Sequence, residues 1–107
     1  MIHAVYHRKY HRLAVSGHAN SGEKGHDLVC AAVSGLVLTA AANVESFVTQ
    51  GNARSEVIQL NEGAAEISCI PVHKMKNVAT LIMDTICTGF EVLQSLYPEY
   101  ISFEAMD

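Results

Sequence analysis

Tryptophan is absent from this chain, proline occurs only twice, and the three cysteines include no Cys-x-x-Cys pair. An odd set of widely separated thiols (Cys30, Cys69, Cys87) argues against a disulfide framework and against a cysteine-rich zinc finger. Free thiols in a reducing compartment are the simplest reading. Charge is also sparse, at 17% of residues with a formal net charge of −4. The seven Lys and Arg are scattered along the chain, with no basic stripe interleaved with aromatics, so no direct nucleic-acid binding is expected. A basic protein substrate would instead be electrostatically favoured. Residues 1–15 are too polar for a secretory signal, and no apolar run is expected to approach membrane-spanning length; the expectations are a cytoplasmic location and no membrane contact. Linkers, repeats and low-complexity segments are missing too, which leaves one domain over residues 1–107. Half of the residues are hydrophobic, enough for one core without staples.

What is present is a regular alternation of element types. Residues 2–8 and 12–18 read as two short strands joined by a tight polar connection near Lys9 to His11, and residues 19–25 as a small, polar, glycine-containing loop. From about His26 to Gln50 the apolar spacing becomes helical. Val29, Cys30, Val33, Leu36, Val37, Ala40, Ala41, Val44, Phe47 and Val48 form one wide face, and Gly51 supplies the stop. Residues 56–60 and 64–70 form a hairpin around Asn61–Glu62–Gly63, closed by Pro71. A second helix is predicted from about Lys74 to Tyr97, with Val78, Leu81, Ile82, Thr85, Ile86, Phe90, Leu93 and Leu96 on its apolar face and Pro98 at its end. Residues 100–105 supply a possible last strand. The order ββαββα, with that strand added, predicts an α+β fold in two layers: a mixed sheet with two long helices on one face.

The chemistry concentrates between Gly17 and Ser34. Cys30 falls in the first turn of the first helix, where the dipole favours an anion by roughly 0.3–1 kcal/mol. That alone lowers a thiol pKa of about 8.5 by at most about 0.7, raising the thiolate near neutral pH from ~3% to ~14%. A nearby base must supply the rest. His18 is the first choice, since a strand ending there and a helix beginning near residue 26 share one rim of the layer. His26 is the rival. Asp27 caps the helix or orients a histidine, Ser34 lies one turn beyond the thiol, and the helix-start amides near Val29 and Cys30 offer an oxyanion site. Gly17, Gly22 and Gly25 give the intervening loop its freedom to open over a peptide.

Each feature has a plainer alternative. Cys30 can be a small buried hydrophobe and His18 an ordinary strand-end histidine. A zinc set of His18, His26 and Cys30, with Asp27 nearby, matches no common spacing, so neither a metal nor another cofactor is expected. His3, His7 and His11 read as solvated, and Cys69 and Cys87 as structural. The glycines match no phosphate-binding loop. A non-catalytic ribosome-assembly or peptide-binding module and a redox-sensing thiol remain open as other functions.

The block Gly17-His18-Ala19, then Gly22, Gly25, Asp27 and Val29-Cys30-Ala31-Ala32-Val33-Ser34, resembles the signature of the ribosomal-processing cysteine protease (Prp, YsxB-like) family. The resemblance extends over most of the chain in length and element order, and it is specific in this block. It implies a small α+β homodimer that removes a short N-terminal extension from a large-subunit ribosomal protein. By motif position it implies His18 and Cys30 as the catalytic pair, with residues 19–25 as a mobile segment over the site.

Overall fold

The computed structural model describes residues 1–18 and 27–107. Its element order is β1 (Ile2–His7), β2 (Arg12–Ser16), α1 (Leu28–Thr49), β3 (Ala53–Asn61), β4 (Ala64–Pro71), α2 (Lys76–Leu96) and β5 (Ile101–Met106). Short 3-10 turns lie at Arg8–Tyr10 and His73–Met75. The strands form one mixed sheet in the order β3-β4-β2-β1-β5, in which β5 runs parallel to β1 and the other pairs are antiparallel. Both helices pack on one face, so the two-layer α+β reading holds, including its last strand.

Alternation drives the sheet. Ile2, Ala4 and Tyr6 of β1, Leu13 and Val15 of β2, and Ile67 and Cys69 of β4 all point into the helical layer. Their neighbours line the helix-free face, where His3 Nδ1 meets Ser102 Oγ at 2.9 Å. Helix α1 buries Val29, Val33, Val37, Ala40, Ala41, Val44 and Phe47, following the sequence spacing. Its end is a Schellman motif: Gly51 takes φ +77°, its N–H donates to the Val48 carbonyl, and the Asn52 N–H donates to the Phe47 carbonyl. Across the layer, Phe90 of α2 stacks on Phe103 of β5 with centroids 5.8 Å apart.

Several expectations need correction. Helix α1 starts at Leu28 with Asp27 as its N-cap, β2 ends at Ser16 rather than at residue 18, and β3 begins three residues early at Ala53. The 22-residue α1 is, by length and composition, apolar enough to cross a membrane, because its alanines, glycine and threonines carry little polarity and Glu45 is its only charge. Its valine face packs on the sheet instead. The buried face of α2 is rotated from the predicted one. Ala79, Met83, Ile86, Cys87 and Phe90 are buried, whereas Val78, Leu81 and Leu96 stay exposed. Two apolar lines run along this helix, and the sheet takes the one where small Ala79 permits close approach and flexible Met83 fills the gap.

His11 is not solvated. It is 4% exposed, sits in the left-handed region at φ +48°, and its Nε2 lies 2.9 Å from Thr80 Oγ1. The Thr80 hydroxyl donates to the Lys76 carbonyl at 3.0 Å, so Oγ1 accepts from His11 Nε2–H. Burial, then the nearby Lys76 ammonium, push the His11 pKa below its ordinary 6.5. A lowered native value means that the unfolded chain takes up the proton first. The stabilising effect is present in full above 6.5 and is lost as pH falls from there through the native value. Replacing His11 by Asn keeps an amide donor and tolerates the backbone. His11→Asn is therefore expected to shrink the loss of melting temperature between about pH 7 and about pH 5. An unchanged pH profile in parallel thermal scans would count against it.

Candidate active site

Three segments build one cleft of about 390 Å³: the end of β2, the first turns of α1, and the β3–β4 hairpin. Its walls include Ile2, Val15, Val33, Val37, Leu38 and Leu60, and its polar edge includes His18, Cys30, Ser34 and Glu62. Two glycines set the position of His18. Gly17 adopts φ +93°, and a side chain there would run into the Met1 carbonyl oxygen. Its N–H donates to the Gly63 carbonyl at 2.9 Å, tying the end of β2 to the hairpin turn. Gly63, at φ +75°, lies directly against the imidazole: a Cβ there would be 2.9 Å from His18 Nε2. His18 itself is exposed.

Cys30 is the third residue of α1 and is half-buried. Its backbone N–H donates to Asp27 Oδ1 at 3.0 Å, which is the N-cap bond and contributes about 1 kcal/mol. Capping, one of the two roles open to Asp27, is therefore observed. The bond also corrects the oxyanion reading, since the Cys30 amide already has an acceptor; Leu28 and Val29 supply the remaining amides of that turn. The other two thiols are chemically quiet. Burial and then Asp84 push Cys87 up to about 12, and burial and then Glu56 raise Cys69.

Gly17, His18, Cys30 and Ser34 thus line one cleft, with Asp27 at its helix mouth. Gly22, Gly25 and His26 lie outside the described residues, as does the expected loop at 19–25. Among the described residues no group of three His, Cys, Asp or Glu side chains is placed to hold a metal. Sequence reading missed the hairpin wall from Leu60 to Ala65. The Glu62–Gly63 turn was legible, but which strand the hairpin would pair with was not.

The family model for Cysteine protease Prp matches residues 1–102. The chain belongs to that family. Over 97 residues it is 33% identical to the ribosomal processing cysteine protease Prp of Mycoplasma pneumoniae (strain ATCC 29342 / M129 / Subtype 1), covering 89% of this chain and 87% of the relative. Its fold is similar to that of the essential ribosomal processing protease Prp from S. aureus, solved with a covalently linked product peptide. That match has a TM-score of 0.77 and 24% identity, and covers 98% of this chain and 99% of the other. The same S. aureus protease solved with a substrate peptide matches with a TM-score of 0.71, 23% identity and the same coverage. A third solved structure, SMU.848 from Streptococcus mutans, matches at a TM-score of 0.65 and 23% identity over 98% of this chain and 91% of that one. The chain is therefore a cysteine protease, a hydrolase of ribosomal processing, which sets aside the non-catalytic module.

The contact between Gly63 and His18 can be checked against Gly51, which has a similar positive φ but open space around its would-be Cβ. Gly63→Ala and Gly51→Ala should each lose roughly 1–2 kcal/mol of stability from the backbone alone. Only Gly63→Ala is expected to shift the imidazole resonances of His18 in NMR spectra; equal spectra would refute the contact.

Proposed function

We propose that Cys30 is the nucleophile and His18 its general base, and that the substrate is a large-subunit ribosomal protein from which a short N-terminal extension is removed. The observation that carries this reading is that the two side chains line the same cleft while Cys69 and Cys87 are buried elsewhere. The cleft also suits an extended peptide, with apolar walls from Val15, Val37, Leu38 and Leu60 and an acidic side chain, Glu62, at its edge. An acidic edge favours a basic protein.

The Asp27 carboxylate at the helix mouth offsets the dipole's preference for a thiolate. The imidazole is therefore needed both as proton acceptor and, once protonated, as the thiolate's counter-charge. The Cys30 thiol passes its proton to His18, and the sulfur attacks the scissile carbonyl carbon. The Leu28 and Val29 amides donate to the resulting oxyanion. The C–N bond then breaks, the leaving amine takes the proton from His18, and a thioester remains. Water, losing a proton to His18, attacks the thioester; the C–S bond breaks and the thiol is restored. Ser34 supports the site from one turn along α1. The same reading takes the protein as a cytoplasmic homodimer.

Cys30→Ala and His18→Ala should each lower cleavage of an extended ribosomal-protein substrate by at least about a thousandfold, read by product mass, with native circular dichroism. Retained turnover in either would overturn the dyad. In the wild-type chain, iodoacetamide should label Cys30 far faster than Cys69 or Cys87 near neutral pH, and the advantage should fall in His18→Ala. Equal, slow labelling of all three thiols contradicts an activated Cys30.

A further inference from the structure

At the opposite end of β2 from the thiol lies a second cleft, of about 610 Å³, and its lining is cationic. Lys9, Arg12, Arg54 and Lys76 all face it, four of the seven Lys and Arg in a chain of net charge −4. They come from four separate places: the β1–β2 turn, the start of β2, the start of β3 and the start of α2. Among the described residues only one of the four has an acidic partner, Arg12, with Glu66 Oε1 at 4.0 Å. The helix adds to the field. Helix α2 opens here with no acidic residue in its first turn, no side-chain cap, and Lys76 as its first residue. A helix N-terminus and a lysine repel each other, so the arrangement stabilises an anion placed between them.

The cleft also contains an aromatic ring. Tyr10 is 55% exposed, with Lys9 Nζ and Arg12 Cζ at 5.8 and 5.3 Å from its ring centroid. An exposed ring among cations is the combination that binds a base by stacking and its phosphate by charge. The Ser68 hydroxyl lies in the same lining as a neutral donor. A carboxylate side chain would occupy little of this volume, whereas arginine forks and several cations match the oxygens of a phosphate. We propose that this cleft binds a nucleotide unit, its phosphate among Arg12, Arg54 and Lys76 and its base against Tyr10, taken either free or as part of single-stranded RNA. The lack of a basic stripe in the sequence does not argue against this site, because the fold assembles it.

The test uses the full chain and a fluorescein-labelled oligouridylate of about ten nucleotides at low salt, about 50 mM, followed by anisotropy. Saturable binding is expected. The double variant Arg54→Glu/Lys76→Glu should weaken it at least about tenfold and reduce the salt slope by about 2. Tyr10→Ala should weaken it severalfold with the salt slope kept. If charge reversal disturbs the fold, seen by circular dichroism, Arg54→Gln/Lys76→Gln serves with a smaller effect in the same direction. Displacement of the strand by uridine monophosphate identifies a single free nucleotide as sufficient; failure to displace identifies the strand. Three results would each overturn the proposal: no saturable binding, unchanged affinity in the neutralised double variant, or equal displacement by polyglutamate of matched charge.

Discussion

The packing of Val29 against the sheet is the constraint from which the site follows. Val29 is 2% exposed and heads the stripe that continues through Val33, Val37 and Ala40. One residue along a helix is a rotation of about 100°. With Val29 locked inward, Cys30 is carried to the edge of the buried face, half-covered and facing the cleft. The same lock fixes the height of the helix mouth, where Asp27 binds the Cys30 amide. A thiol at this position is neither inert core nor free surface. Cys69 and Cys87 show the contrast, since the same side chain buried in β4 or α2 has its pKa raised and its reactivity suppressed.

Among the described residues, the imidazole is held by backbone geometry rather than by a side-chain partner that any sequence motif would reveal. Gly17 must turn the chain with a positive φ beside the Met1 carbonyl, and its N–H must reach Gly63. Gly63 must in turn lack a Cβ so that the His18 ring can rest on it. Two glycines 46 positions apart in the sequence thus act as one element. That coupling holds an exposed histidine, two residues beyond the end of β2, on the lining of the cleft.

What the sequence made legible divides along physical lines. Local signals were reliable: the valine stripe of α1, Gly51 as its stop and Pro98 after α2 each act within a few residues. Gly17, His18 and Cys30, which the fold brings to one cleft, were legible through a family resemblance. Long-range choices were not. Which apolar line of α2 faces inward depends on the space left by the sheet, and Ala79 and Met83 fill it better than Val78 and Leu81. His11 looked like a surface residue among other histidines, yet a turn in the left-handed region delivers it to Thr80 on a helix 69 residues later. The hairpin wall of the cleft was likewise set by the pairing of β4 with β2.

Charge shows the same division, and it separates the two ends of the molecule. Strand β2 runs from Arg12, within the cationic cleft, to Ser16, beside Gly17 and His18 in the apolar one. Four steps of about 3.3 Å between its five residues keep these ends roughly 13 Å apart, beyond the screening length of about 8 Å at physiological salt. A basic substrate drawn to the Glu62 edge is therefore little repelled by Arg54 and Lys76, and an anion held by those cations is little repelled by Asp27. A net charge of −4 averages over this polarity and conceals it. Sheet order, which places the β1–β2 turn beside the ends of β3 and β4, turns a scattered set of basic residues into a local field.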